Sequence, residues 1–331
     1  MPLKILAIRL ARFGDVVLLL PALTLLKSFF PGSQLTFLTD QRLAPLAAMC
    51  PAIDDIIAVD RIGMRDGARW NSIKSMRGVV RVVRSRQFDL AVDFHGFRET
   101  NLLTWFSTSR QRIGLKLFGR SFLNFCFNLP PVPEDKSIHV GEMFMKVVER
   151  FGNAGRPATP SLVIPETSRQ WVKEHVPTGP YAAIYLDAPT ALRIWPPERF
   201  ASVADYIAGH LGLNVVVISG PEGSPLLNRM LEETRLSNKV LGFSTLTIPH
   251  LAAAVESASL WISNDTGPLH LGPILGVPTL GLFSIGLPEH FRPTGSNDVF
   301  IQGNPIETIT TEEVIGRVEE LWSTVRPDLP R

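Results

Sequence analysis

The sequence predicts an α/β protein of two doubly wound parallel sheets facing each other across a cleft. Three observations carry this. Short apolar runs alternate with helical patterns along all 331 residues, the signature of βαβ units with right-handed crossovers. Two strand–turn–helix sites, around Asp15 and Asp265, lie about 250 residues apart. A stretch rich in Gly, Pro and polar residues, Asn153 to Pro165, separates the two halves and reads as a linker. The expected domains are therefore residues 1–158 and 159–331.

In the first half the expected strands are Lys4–Leu10, Gln34–Leu38, Ile56–Val59 and Leu90–Asp93. After the first, Arg12-Phe-Gly-Asp15 makes a turn, with Gly14 letting the backbone bend sharply. Val16 to Phe29 follows as a helix with the Asp15 carboxylate at its N-terminus, where ligands of open parallel sheets bind. The same Asp15 could instead simply cap that helix. Lys4, Arg9 and Arg12 ahead of the apolar run Val16 to Leu26 imitate a secretory leader. Asp15 at its head, Pro21 inside it and the lack of a small-residue cleavage site argue against one.

In the second half the expected strands are Ala182–Leu186, Val215–Ser219, Leu260–Ser263 and Thr279–Phe283. Between the last two, Asn264-Asp-Thr-Gly267 forms a polar turn and Pro268 to Leu275 a helix. Unpaired amides and the positive end of that helix would suit a phosphate or pyrophosphate, and Pro268 fits its first turn. An ordinary turn capped by Asp265 or Thr266 has the same pattern. Thr310-Thr-Glu-Glu313 is a capping box opening a final helix through Trp322. This helix, 311–325, could pack back on the first domain.

The length suits two cores, and no apolar run reaches a membrane span. Cys50 and Cys126, the two cysteines, show neither metal nor redox spacing, which suits a reducing compartment. The net charge of +2 hides a polarity: residues 1–165 hold 22 Lys and Arg against 13 Asp and Glu, and the remainder 11 against 18. The first half should therefore meet something anionic. Its basic stretch, Arg61 to Arg86, is interleaved with apolar residues as in an amphipathic helix. It reads as a solvated surface helix, or as a face for anionic lipid or a phosphorylated acceptor, with Arg61 and Arg65 in contact. Nucleic acid is not expected, because stacking aromatics are scarce in this stretch. The first turn lacks the Gly-x-Gly-x-x-Gly of a dehydrogenase.

Taken together, Arg12-Phe-Gly-Asp-Val16 with Leu20-Pro-Ala-Leu23, Arg193-Ile-Trp-Pro196, and Asn264-Asp-Thr-Gly-Pro-Leu-His270 with Gly276-Val-Pro278 resemble the bacterial heptosyltransferases, glycosyltransferase family nine. The resemblance runs the whole length and includes Asp93-Phe-His-Gly96, Arg112-Ile-Gly114 and His139. It implies a GT-B fold, with two Rossmann-like domains, and an inverting, metal-independent transfer of heptose from ADP-heptose to the lipopolysaccharide inner core. No Asp-x-Asp pair offers itself to a metal, and no cofactor is expected. Asp15 would be the general base, and Arg193 would neutralise the leaving diphosphate. Gly14, Asp265, Thr266, Gly267 and His270 would contact the donor, with Glu222 on its ribose. Arg12, His95, Arg61 and Arg65 would face an anionic glycolipid of the lipid A–Kdo type. Such an enzyme would work in the cytoplasm, peripherally on the inner membrane.

Several positions depart from the family pattern. Arg193 stands where lysine is frequent and Thr266 where serine is, Phe283-Ser-Ile-Gly286 replaces a more usual Phe-Gly turn, and Gly272-Pro273 replaces small alanines inside the helix. These leave the sugar and nucleotide open. A transferase or epimerase using another nucleotide sugar, or a non-catalytic sugar-nucleotide-binding protein, would keep most of the same residues.

Overall fold

The computed structural model describes residues 2–60, 69–152 and 162–325, and the side chains of these except 69–75. Residues 153–161 of the expected linker, and Arg61 and Arg65, lie outside the described residues. The chain divides into two compact units, Met1–Val163 and Ile164–Arg331.

Unit 1 holds strands β1 (Lys4–Arg9), β2 (Gln34–Asp40), β3 (Asp55–Val59), β4 (Leu90–Asp93), β5 (Gln111–Lys116) and β6 (Val132–Pro133). Its helices include α1 (Phe13–Phe29), α2 (Ala44–Ala48), α3 (Arg69–Ser85), α4 (Arg98–Phe106) and α5 (Val140–Val148). The strands pair in parallel in the order β3-β2-β1-β4-β5-β6. Strand order reverses between β1 and β4, and the crevice outside their carboxyl ends is where a ligand of such a sheet sits. The leader-like run is helix α1: Val16, Val17, Leu19, Leu20, Leu23, Leu25 and Leu26 are all buried, so it is apolar nearly all round because it is covered nearly all round.

Unit 2 holds β7 (Tyr181–Tyr185), β8 (Asn214–Ser219), β9 (Val240–Ser244), β10 (Leu260–Asn264), β11 (Thr279–Phe283) and β12 (Val299–Gln302). Its helices include α6 (Glu166–His175), α7 (Pro197–Tyr206), α8 (Ser224–Glu233), α9 (Ile248–Glu256), α10 (Leu271–Leu275), α11 (Pro288–Phe291) and α12 (Thr311–Val325). The order is β12-β11-β10-β7-β8-β9, parallel throughout, with the reversal between β7 and β10. The capping box of α12 is formed, Thr310 N–H donating to Glu313 Oε2 at 2.8 Å and Glu313 N–H to Thr310 Oγ1 at 3.2 Å. Val314, Val318, Leu321 and Trp322 of α12 belong to the unit 2 core.

All eight expected strands form, with ends differing by a residue or two. Strands β5, β6, β9 and β12 are additional. Each lies at or next to a sheet edge, where only part of the strand is buried, so the continuous apolar run of a central strand is missing. No helix among the described residues is long and apolar enough to cross a membrane.

Candidate functional site

The reversal point of unit 1 is built around Arg9, the last residue of β1. Strand geometry sends it to the carboxyl edge, yet it is only 8% exposed. One guanidinium nitrogen donates to the Phe94 carbonyl just past β4 at 2.5 Å, and another to Asp15 Oδ1 at 2.7 Å. The guanidinium also lies 4.9 Å from the centre of the Phe144 ring, which α5 supplies. Asp15 therefore belongs to an ion pair, and its side chain keeps 23% exposure. Its second oxygen accepts the Arg12 N–H at 3.3 Å. Burial pushes the Asp15 pKa up, but the charge and hydrogen bond of Arg9, the Arg12 amide and the charge of His95 outweigh it, so the carboxyl sits below its ordinary value. It is ionised at neutral pH.

Asp93 shapes the neighbouring turn. It is fully buried, and its Oδ1 accepts the backbone N–H groups of His95 (2.9 Å) and Gly96 (3.0 Å) while Oδ2 accepts Asn101 Nδ2 (2.8 Å). Gly96 has φ +72, and a Cβ there would lie 2.4 Å from the Leu115 carbonyl oxygen, so the turn requires glycine. The result holds His95 buried against Phe97, ring centres 4.3 Å apart. His139 is the N-cap of α5, its Nδ1 accepting the Gly141 N–H at 3.2 Å.

At the reversal point of unit 2, Asn264 ends β10 fully buried and ties it to the segment after β7. Its Nδ2 donates to the Leu186 carbonyl at 2.7 Å and its Oδ1 accepts the Trp195 N–H at 3.1 Å. That segment carries Arg193, whose Nη1 is 3.2 Å from Asp265 Oδ2. Asp265 is buried, and burial raises its pKa against the lowering charge of Arg193. Gly286 leaves room for this carboxylate: a Cβ on it would come within 2.3 Å of Asp265 Oδ2. The Arg193 Nε is buried without a hydrogen-bond partner, while the side chain as a whole keeps 28% exposure beside Asp265.

Three expectations are corrected here. The turn after β1 ends before Phe13, so Gly14 is buried inside the first turn of α1 rather than bending the chain, and it is not among the positive-φ glycines. Asp15 is accordingly the third residue of the helix. Its carboxylate caps the Arg12 N–H and pairs with Arg9 at once, so the capping role and the ion pair are not alternatives. After β10 the chain makes a 3₁₀ turn, Gly267–His270, before the five-residue α10. Pro268 and Pro273 withhold two amides from any continuous ladder. This segment therefore lacks a full helix's aligned dipoles.

The remaining residues take these places. Thr266 and His270 are buried beside Asp265, and Gly267 is half-buried. Glu222 is exposed in the 3₁₀ turn Pro221–Gly223 after β8, and Arg12 is exposed at the N-cap of α1. Thus Arg9, Asp15 and His95 come together in unit 1, and Arg193, Asp265 and the 266–270 turn in unit 2. Sequence reasoning misses two residues. Arg9 reads as a leader's positive charge, although a charge closing an apolar strand is itself a signal. Asp187, two residues past β7, has its carboxylate packed against Gly220 and Gly223, and its pKa is raised by burial and by the charge of Glu222. Its position after an apolar strand repeats that of Asp265. Among the described residues no three His, Cys, Asp or Glu gather as metal ligands.

The model of glycosyltransferase family 9 (heptosyltransferase) matches residues 76–316. Lipopolysaccharide heptosyltransferase 3 of Escherichia coli is 21% identical over 94% of this chain and 92% of its own length. Among solved structures, a family 9 glycosyl transferase from Veillonella parvula superposes with a TM-score of 0.85 at 24% identity, covering 97% of both chains. The E. coli heptosyltransferase WaaC, solved with ADP, gives 0.78 at 18% identity, covering 96% of this chain and all of that one. The two parallel six-stranded sheets are those of the GT-B fold that these structures share. The chain belongs to glycosyltransferase family 9, the heptosyltransferase family, and is a glycosyltransferase.

Proposed function

We propose that this protein transfers heptose from ADP-heptose to the inner core of lipopolysaccharide with inversion and without a metal, Asp15 acting as general base. The observation that carries the reading is the Arg9–Asp15 pair at the reversal point of unit 1: a partly exposed carboxylate kept ionised by a buried arginine. An ionised carboxylate can accept the acceptor hydroxyl's proton as that oxygen forms its bond to the anomeric carbon. The bond from that carbon to the diphosphate breaks, and ADP leaves. A carboxylate with a lowered pKa is a weak base towards a free alcohol. It suffices when proton transfer follows bond formation, because the attacking hydroxyl becomes strongly acidic as its oxygen gains positive charge.

Arg193 would stabilise the departing diphosphate, with Thr266, Gly267 and His270 lining the same place; Gly14, buried inside α1, would not contact the donor. Glu222, with Asp187 beside it, would accept ribose hydroxyls. Arg12, His95, Arg61 and Arg65 would meet an anionic glycolipid of the lipid A–Kdo type, and the enzyme would then work in the cytoplasm at the inner membrane's inner face. The names of the relatives support ADP-heptose and lipopolysaccharide, at identities low enough that another nucleotide sugar is the rival reading.

Incubation with ADP-heptose and a heptose-free inner-core acceptor, in excess EDTA, tests all three parts. The expected product carries one heptose whose anomeric configuration, read by NMR coupling, is opposite to the donor's. Retained configuration, or activity abolished by EDTA and restored by a divalent ion, would refute the mechanism. Thermal stabilisation by UDP or GDP but not ADP would keep the fold and discard the donor.

A further inference from the structure

Every strongly exposed Trp or Phe among the described residues falls on one part of unit 1. Trp105 (43% exposed) is on α4, and Phe118 (82%) and Phe125 (62%) are on the segment that follows β5. These elements adjoin. The Leu123 N–H donates to Asn101 Oδ1 of α4 at 3.0 Å, and the Trp105 and Phe125 rings meet edge to face at 5.8 Å. At the other end of α4, the Arg120 guanidinium lies 5.4 Å from the Phe97 ring centre. A hollow of about 400 Å³ opens between Arg84 at the end of α3 and Trp105, Phe106, Thr108 and Arg112.

The charge on this face is one-sided. Arg77, Arg81 and Arg84 are exposed along α3, and Arg98, Arg110, Lys116 and Arg120 on and beside α4 and β5, against exposed Glu99 and the largely covered Glu134, whose Oε2 accepts the Phe118 N–H at 2.8 Å and lies 4.0 Å from Lys136 Nζ. The aromatic strip begins just past the carboxyl end of β5, the end of the sheet on which Asp15 and His95 lie. Phe118 and Phe125 are bare rings interleaved with arginines rather than one continuous apolar patch.

We propose that this face docks on an anionic lipid bilayer, Trp105, Phe118 and Phe125 entering the headgroup layer and the surrounding arginines lying on lipid phosphates. Rings that insert shallowly beside cations can hold a protein peripherally to such a surface. A second copy of the chain would set arginines against arginines across a two-fold axis, so charge complementarity selects the lipid. The inference deepens the proposed function, resting on it only in that a glycolipid acceptor would be reached from this face.

The test is flotation of the full chain with acceptor-free vesicles of phosphatidylglycerol or of phosphatidylcholine. The wild type should bind the anionic vesicles and not the neutral ones. Higher salt should weaken that binding without abolishing quenching by brominated lipid, and the Trp105→Phe variant, which keeps the other five tryptophans, should lose most of the quenching. Trp105→Ala with Phe125→Ala should lower partitioning at least about tenfold. Phe118→Ala, at so exposed a site that folding cannot depend on it, should lower it several-fold. Arg81→Gln with Arg84→Gln should reduce the preference for anionic lipid by roughly tenfold or more.

Turnover of a deacylated, water-soluble acceptor should be unchanged in all these variants. Wild-type failure to bind vesicles would overturn the proposal, as would variants that bind as the wild type does or a concomitant loss of turnover in water. Binding of a single-stranded oligonucleotide instead of vesicles, or a dimer that the double alanine variant dissociates, would overturn it in favour of those partners. Trp105-dependent vesicle binding with no turnover on any acceptor would uphold this surface while the proposed function fell.

Discussion

Replacing Arg9 by Gln isolates what holds Asp15 ionised. The variant loses the positive charge 2.7 Å from Asp15 Oδ1 while keeping a side chain that can still donate to Phe94 or to the carboxylate. With charge centres about 4 Å apart and an effective dielectric near 20, that attraction is worth about 4 kcal/mol. The 23% exposure of Asp15 leaves the net effect smaller. Burial is the largest single influence on Asp15 and acts upward, so without Arg9 its pKa rises. In the wild type a carboxyl held below its ordinary value stays ionised until the pH drops through that lowered value. The pair's contribution to stability is likewise present above the unfolded value and is lost as pH falls through the folded one. The assay is kcat/KM against pH for wild type and variant. The wild type should be flat from pH 8 to pH 5 as far as Asp15 is concerned. The variant's acid limb should begin at a higher pH than the wild type's, with activity recovered as the pH rises. Removing one partner of a buried pair costs about 3–5 kcal/mol, and the partial exposure of Asp15 places this loss near about 2–3. An acid limb that does not move, in a variant that circular dichroism shows to be folded, would refute the role assigned to Arg9.

Further outcomes follow from the same contacts. Gly286→Ala should push Asp265 off Arg193, since the new Cβ would lie 2.3 Å from Oδ2; calorimetry should show ADP affinity falling by about tenfold, and the melting temperature should fall as well because the buried carboxylate loses its partner. Asn264→Ala removes two buried hydrogen bonds that join β10 to the Arg193 segment, and denaturant titration should show a loss of about 2–4 kcal/mol. Burial raises Asp298 to about 6, so the native state binds a proton there that the unfolded chain does not between roughly pH 4 and 6. Its contribution to stability therefore grows as pH falls through 6, and Asp298→Asn should flatten that part of the melting temperature profile.

The parts of the fold legible in the amino-acid order alone are those where one physical demand dominates. Central strands such as Ala182–Leu186 and Leu260–Ser263 are buried on both faces and so must be apolar throughout. Edge strands escape this demand: in β12, Val299, Phe300 and Ile301 are each half-buried and Gln302 is exposed. Asp15 and Asp265 stand out because each is a carboxylate in a short polar turn between a strand-like apolar run and a helical pattern. Arg9 does not, because a single arginine before an apolar helix also fits a leader; only the fold of β1 beside β4 brings it to Asp15 and Phe94. The 3₁₀ turn at Gly267 is hidden by Pro268, which opens either kind of helix equally well. The arginines of the basic half are plain in the composition, whereas the exposure of Phe118 and Phe125 depends on a segment, 117–127, whose apolar spelling reads as core.

The central claim is that Asp15 takes the proton in the transfer step. The direct measurement is single-turnover transfer by the Asp15→Asn variant at saturating ADP-heptose and acceptor, with ADP binding measured alongside. The account predicts a rate lower by about 10²–10⁴-fold with ADP affinity unchanged. A rate within a few-fold of the wild type, in a folded variant, would contradict it and leave Asp15 as the cap of α1 and the partner of Arg9.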